Sequence, residues 1–388
     1  MEINQASSLI IISLAVFIVP ILSRYLKIPS IVGEILFGIA IGKSGLGLIM
    51  SGEWLSFLAH FGFLLLMFLS GFEIDFEYLE KQGRKQVVFA LFIFFCTVFL
   101  AYLFSTFMGF GFYMTLILST TSLGLVIPTL RETGLSKSLL GQNIILAAII
   151  ADFLTLFGIA IYSLFYQHGF CWQMLKPGLI FVFAALVLYL LKRLAWWYPE
   201  RFARLIKGED PVETGVRASL ALLFVFVGFS GILGIEPILG AFIGGALFSL
   251  IFRYRGVLEE KLMGFGYGFL IPIFFIHVGI NFDLRVLLEW QIFLNAAGLF
   301  LVAWIIKIIP SLLFRFNGLT WGECLSSGIV LSARLSLIIA AASIGLKLNL
   351  INNQIYSSII LLAILTSSLA PMLFKKIQSN QPSKNIHH

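Results

Sequence analysis

The sequence predicts an all-α polytopic membrane protein with about 13 transmembrane helices, built as two inverted five-helix repeats in which one helix of each is broken. Three observations predict it. The chain of 388 residues is 60% hydrophobic and 12% charged, with a mean hydropathy of +1.01, whereas a soluble domain carries about 25% charged residues. Apolar runs of about 20 residues, the length that crosses a hydrocarbon core, recur thirteen times. Short Gly-rich patterns return at an offset of about 207 residues, seven spans later, so the two copies cross the membrane in opposite senses.

In order, the spans fall at about 7–23, 29–49, 55–74, 86–108, 112–131, 140–166, 176–194, 213–233, 237–252, 264–281, 288–316, 321–346 and 352–374. The first follows Glu2 rather than a basic segment, which reads as a span and not as a signal peptide. With the N-terminus outside, the inside loops carry twenty Lys and Arg and the outside loops four. That asymmetry places the C-terminus inside and the chain in the cell inner (plasma) membrane as a multi-pass protein, with residues 375–388 as a short cytoplasmic tail. The net charge of +7 thus faces lipid headgroups, and no nucleic-acid partner is expected. Cys96, Cys171 and Cys324 lie far apart in apolar surroundings with no metal-type spacing. Trp196-Trp197-Tyr198 beside Lys192 and Arg193 reads as an interfacial anchor.

The repeat aligns Ile31-Val-Gly33-Glu-Ile-Leu-Phe-Gly38 with Ile238-Leu-Gly240-Ala-Phe-Ile-Gly-Gly245, and Gly71-Phe-Glu-Ile-Asp75 with Gly279-Ile-Asn-Phe-Asp283. It maps spans 2 to 6 onto spans 9 to 13. The fourth span of each copy is the place to expect a break. Span 5 reads Leu118-Ser-Thr-Thr-Ser-Leu-Gly-Leu-Val-Ile-Pro128, and span 12 reads Ser326-Ser-Gly-Ile-Val-Leu-Ser332-Ala-Arg334-Leu-Ser336. Unwinding there frees backbone groups that lipid cannot satisfy but a polar cavity can.

Asp152 stands inside an apolar run from Ile144 to Leu164, and an ionised group at that depth costs about 2.5 kcal/mol or more, which marks it as functional. Ala148 and Thr155 flank it on the same helix face. Lys307 and Arg334 are the two cations left inside spans. A single site from spans 5, 6, 11 and 12 would hold every deeply embedded charge: Asp152 with Ser119, Thr120 and Thr121 as ion ligands, Lys307 and Arg334 as charge-compensating groups, and Ser122, Thr155, Ser332 and Glu34 as accessory residues. Other readings stand beside these. Asp152 could be a purely structural charge, neutral or paired with Lys307 or Arg334, Lys307 and Arg334 could equally be counter-ions for the carbonyls of the broken helices, the hydroxyls of residues 119–122 could bond back to their own helix, and Glu34 could be a cap of span 2 or an interface residue. His277 reads as a satisfied polar residue, and Glu73, Asp75, Glu77 and Glu80 as a solvated helix end.

Pro29-Ser-Ile-Val-Gly-Glu-Ile-Leu-Phe-Gly-Ile-Ala-Ile-Gly42, Leu69-Ser-Gly-Phe-Glu-Ile-Asp75, Ser119-Thr-Thr-Ser122, Leu239-Gly-Ala-Phe-Ile-Gly-Gly245 and Pro272-Ile-Phe-Phe-Ile-His-Val-Gly279 resemble the membrane domain of monovalent cation:proton antiporters, in the cation/proton antiporter-2 branch of NapA and Kef-type proteins. The resemblance implies a sodium/proton antiporter-like fold with crossed broken helices, residues 1–374 forming one transporter domain. Within it, the resemblance implies a dimer domain at about 7–74 and 213–281, a core ion-transport domain at about 86–166 and 288–374, and a linker helix at about 176–194. It also implies a homodimer, with Asp152 as the ion-binding aspartate. Ala151 departs from the pattern, since relatives carry a polar residue there, and Leu335-Ser336 stand where some relatives carry Gly-Glu. No G-x-G-x-x-G follows a strand-like segment, so ligand-gated efflux of the Kef type is not expected.

The expected function is secondary active exchange of a monovalent cation, sodium, lithium or potassium, for protons. An acid in apolar surroundings takes up a proton or a cation in turn, and with one carboxylate the exchange is expected to be electroneutral. No cofactor is expected beyond the transported ions. Enzyme readings fail on the residues: there is no aspartate-rich motif for diphosphate and no second intramembrane aspartate for proteolysis. A sodium-coupled symporter of similar fold and a non-exchanging, channel-like relative remain as alternatives.

Overall fold

A computed structural model describes residues 3–26, 28–49, 52–74, 76, 80, 83–170, 172–197, 213–251, 256–282 and 290–379. Glu2, Asp75, Glu77, Cys171, Tyr198 and Asp283, named above, lie outside the described residues. All regular structure among the described residues is helical. Ten helices there are long and apolar enough to cross a membrane, and Trp321–Leu331 with Ser336–Lys347 makes a further span bent by 43°. The shorter apolar helices Ser30–Ile41 and Pro237–Ile251 occupy the places of spans 2 and 9.

The boundaries differ from expectation at three places, each for a local reason. Span 2 is helical only over Ser30–Ile41. After Gly42 the chain folds back, with the amides of Leu48 and Ile49 bonding the carbonyl of Ile41, through Gly47 at a φ of +62° that favours glycine. The last helix, Asn353–Ser379, runs past the predicted end of span 13, so Lys375 and Lys376 sit on its final turns rather than in a tail. Cations there complement the negative end of the helix. Span 10 is interrupted by a π-helical turn over Gly266–Leu270, just ahead of Pro272, which lacks the N–H that would bond the carbonyl four residues back.

The chain divides into two compact units. The first comprises Met1–Lys81 and Phe157–Leu284, the second Gln82–Leu156 and Arg285–His388.

The first unit is packed through glycine. A Cβ on Gly38 would run into the carbonyl of Ile276 and lie 2.9 Å from the Cα of Gly279, and a Cβ on Gly279 would lie 2.9 Å from the Cα of Gly38. Spans 2 and 10 therefore touch backbone to backbone. Gly71 and Gly245 do the same for spans 3 and 9, against the carbonyls of Phe242 and Phe68. These two contacts are copies of each other, because the repeat pairs Gly38 with Gly245 and Gly71 with Gly279. The correspondence extends further than the sequence alignment: Gly33 packs on the hydroxyl of Ser23 in span 1, and Gly240 packs on that of Ser230 in span 8. Spans 1 and 8 thus belong to the repeats as well. Around these contacts Ile12, Ala15, Val19, Ile41, Leu55, Ala59, Ile273 and Ile276 form a buried cluster.

In the second unit, Gly328 lets span 12 approach span 11, since a Cβ there would lie 2.6 Å from the Cα of Ile308. Span 12 opens with a capping box: Glu323 N donates to Thr320 Oγ1 at 3.3 Å, and Thr320 N donates to Glu323 Oε2 at 2.7 Å. On span 4, Val88, Phe92, Phe95, Phe99 and Leu103 form an exposed apolar stripe at helical spacing, as a lipid-facing helix requires.

Candidate functional site

Both predicted breaks are present in the second unit. Span 5 is helical over Phe112–Ser119 and again over Leu123–Glu132. Thr120 and Ser122 take extended backbone between them, with ψ of 155° and 104°. Pro128 lies inside the second half rather than at the break. The opening therefore comes from the Ser-Thr-Thr-Ser run, whose side chains offer local hydrogen bonds to a non-helical backbone. Ser119 Oγ donates to the carbonyl of Thr115 and Thr120 Oγ1 to that of Ile117, both at 2.7 Å. Span 12 breaks after Leu331, and Leu335 carries φ −147° and ψ −79°.

The charges then distribute by helix polarity. The first half of span 5 ends in carbonyls, and two cations meet them. Lys307 Nζ donates to the carbonyl of Ser119 and to Thr121 Oγ1, both at 2.7 Å. Arg334 Nε donates to the carbonyl of Thr120 at 3.1 Å, and its Nη2 to those of Leu118 at 2.9 Å and Ala303 at 3.0 Å. Its Nη1 reaches the carbonyl of Ser332 at 3.4 Å, so one guanidinium ties both breaks and span 11 together. Arg334 is fully buried and Lys307 is 5% exposed.

Asp152 sits at the opposite pole. The second half of span 5 begins at Leu123, and the amide of Leu123 donates to Asp152 Oδ2 at 3.3 Å. A carboxylate at a helix N-terminus and cations at a helix C-terminus are both favourable. Asp152 is 6% exposed, and its other oxygen, Oδ1, is buried without a hydrogen-bond partner, as is Thr155 Oγ1 one turn along the same face. Among the described residues, neither Lys307 nor Arg334 forms an ion pair with Asp152. Nor is there a cluster of three His, Cys, Asp or Glu, so a cation at Asp152 would be held by one carboxylate, hydroxyls, carbonyls and water.

Of the ten residues predicted for the site, nine belong to this unit. Ser119 and Thr120 spend their hydroxyls on their own helix and offer carbonyls instead, Thr121 turns its hydroxyl to Lys307, and Ser122 is the residue ahead of the second half-helix, without a side-chain cap. Ser332 Oγ donates back to Ile329 at 2.6 Å. Glu34 belongs to the first unit. It does not cap span 2, whose N-cap is Pro29, and it is buried at 3% exposure. Glu73 is half-buried rather than solvated, and His277 is in hydrogen-bond range of Ser56 and Asn281. Tyr113 was not singled out by the sequence. Its hydroxyl donates to the carbonyl of Ala341 at 2.8 Å and its ring lies on Gly345, joining the first half of span 5 to the second half of span 12.

Two broken spans that meet through a buried arginine, with an acid at the start of one half-helix, define a membrane transporter with discontinuous helices. Residues 12–377 match the family model described as sodium/hydrogen exchanger, transmembrane, and the chain belongs to that family. It is 37% identical over 404 aligned positions to the putative Na(+)/H(+) antiporter YjbQ of Bacillus subtilis (strain 168), covering 97% of this chain and 64% of that relative. The chain thus spans about two thirds of the length of that protein. It is 30% identical to the probable Na(+)/H(+) antiporter 3 of Methanocaldococcus jannaschii, with 95% and 96% of the two chains covered. The solved structure of the sodium proton antiporter MjNhaP1 from the same organism superimposes with a TM-score of 0.65 at 17% identity, over 96% of this chain and 97% of that one, and shares the fold.

Proposed function

We propose that this protein exchanges a monovalent cation, sodium or potassium, for protons, using Asp152 as the one group that carries either. The observation that carries this reading is the division of Asp152: Oδ2 is fixed on the amide of Leu123, and Oδ1 is buried with no partner. One oxygen anchors and the other is left to hold a proton or a cation. The names of relatives, among them an Na(+)/H(+)-K(+) antiporter of Bacillus cereus at 27% identity, support both cations.

With a single embedded carboxylate at the breaks and Lys307 engaged by Ser119 and Thr121, one proton exchanges for one cation and the cycle is electroneutral. Alternating access would come from movement of spans 4–6 and 11–13 against spans 1–3 and 8–10, the latter forming a homodimer in the plasma membrane. The N-terminus lies outside and the C-terminus in the cytoplasm, as the excess of Lys and Arg on that side favours. The protein takes no cofactor beyond the ions it moves.

The test is proton flux in proteoliposomes or everted vesicles on addition of sodium or potassium. Asp152→Asn abolishes the flux with every cation, and flux retained in that variant overturns the reading.

A further inference from the structure

The hydroxyl of Thr155 behaves unlike those of other buried threonines. Thr97, Thr129 and Thr366, buried on spans 4, 5 and 13, each donate to the carbonyl four residues back on their own helix. That is the usual recourse of a threonine inside a span. Thr155 lies in the middle of Leu139–His168 with the carbonyl of Ala151 four residues back, yet its Oγ1 makes no bond there and is buried without a partner. Thr115 is also unpartnered, but it lies at the start of a half-helix, where the residue four back is the N-cap Gly111. Thr155 is fully buried, and a hydroxyl left unpaired at such depth destabilises the protein unless it does something else.

Asp152 stands on the same face. The two residues are three apart on one helix, which sets their Cβ atoms about 5–6 Å from each other, and both belong to the second unit. Asp152 Oδ2 is held by the amide of Leu123, so Oδ1, also buried and unpartnered, is the oxygen left to act with Thr155. The residues one turn before them, Ala148 and Ala151, are small and leave room on that side. The two oxygens make no hydrogen bond to each other, and a cation between them would satisfy both. Carboxylate and hydroxyl oxygens are hard donors, which suit a hard cation.

We propose that Thr155 Oγ1 is a ligand of the transported cation, a partly dehydrated alkali-metal ion held between it and Asp152 Oδ1, and that it sets the affinity for that cation relative to the proton. The inference rests on Asp152 being the exchange group. A proton needs Oδ1 alone, because it forms an O–H bond there, whereas a cation needs several oxygens around it. When the cation leaves, the Asp152 carboxylate takes a proton from solvent and the threonine keeps its own. Removing the hydroxyl therefore weakens one competitor and spares the other.

The experiment titrates proton flux in proteoliposomes of the full chain with sodium or potassium, and records melting in detergent with choline chloride in their place. Thr155→Val, which keeps the shape and removes the oxygen, should raise the cation KM about tenfold with kcat nearly unchanged, and Thr155→Ser should restore it. With the cation held well above the wild-type KM, the acid-side midpoint of flux should rise by about one pH unit, since protons then compete with a tenfold weaker ligand. In choline the valine variant should melt at or above the wild type, because an unpaired buried hydroxyl is gone. A purely structural threonine gives the reverse, a lower melting temperature with KM unchanged. An unchanged KM in Thr155→Val, or a raised KM that Thr155→Ser does not restore, overturns the proposal. Should the valine variant not fold, Thr155→Ala decides by the same KM and pH midpoint. Flux retained in Asp152→Asn brings down the reading beneath this one, whereas a silent Asp152→Asn beside an unaltered Thr155→Val removes the threonine alone.

Discussion

Lys307 Nζ lies 2.7 Å from the carbonyl oxygen of Ser119, and its second bond goes to Thr121 Oγ1 rather than to Asp152. The ammonium thus acts on the open end of a half-helix. Lys307→Ala leaves that carbonyl buried and unpaired, and hydrogen bonds to charged groups are worth about 1.5–3 kcal/mol each. The variant should melt markedly below the wild type in a detergent thermal-shift assay. An unchanged melting temperature would show that the lysine is not holding the break.

The same end separates two neighbouring hydroxyls. Thr121→Val removes the side chain that Lys307 reaches, whereas Ser119→Ala removes a hydroxyl that only returns to Thr115. The first should raise the cation KM of exchange several-fold, and the second should leave it nearly unchanged. Equal effects in a proton-flux titration would contradict this division.

Arg334 makes its contacts as a planar fork to the carbonyls of Leu118, Thr120 and Ala303. Lysine has no such fork: its three donors share one nitrogen, which cannot stand at both the Nε and the Nη2 positions. Arg334→Lys should therefore be only a partial rescue of Arg334→Met, which leaves buried carbonyls unmet at about 1–3 kcal/mol each. Comparing the melting temperatures of the two variants reads this directly.

In the first unit, Gly38→Ala places a methyl against the carbonyl of Ile276, and rigid overpacking of this kind costs about 1–3 kcal/mol. Gly228→Ala in span 8 meets nothing within 4 Å and should be neutral or stabilising by up to about 1 kcal/mol. Because Gly245 occupies the equivalent contact, Gly245→Ala should match Gly38→Ala and not Gly228→Ala in thermal-shift measurements.

Ten spans, eleven with the bent one, were legible as long apolar runs, spans 2 and 9 proved shorter helices, and the breaks were legible because serine and threonine cluster where lipid offers the backbone nothing. The position of the span 5 break was less so. Pro128 looks like the disrupting residue, but it is accommodated within a helix that had already begun at Leu123. What Lys307 and Arg334 touch could not be read from sequence, since a cation inside a span looks the same whether it faces a carboxylate or a row of carbonyls. Of the two readings of Glu34 beside the accessory one, a cap or an interface residue, only the cap is set aside, because closeness to a helix start does not reveal that Pro29 holds the N-cap and that Glu34 is buried. The match of Ser23 to Ser230 escaped because one small residue carries too little information without its contact on a glycine.

The glycine contacts also fix an order of assembly. Ser23 meets Gly33 within a hairpin of adjacent spans, and Ser230 meets Gly240 in another, so each can close as soon as its two helices enter the bilayer. Gly38 must wait for Gly279, and Gly71 for Gly245, which are made much later in synthesis. Until then the short helix Ser30–Ile41 has a bare backbone groove and the buried-to-be carboxyl of Glu34 on the same side. Helices left in that state are the ones exposed to misassembly during synthesis. The smallness that permits the final contact is what leaves the early chain incomplete.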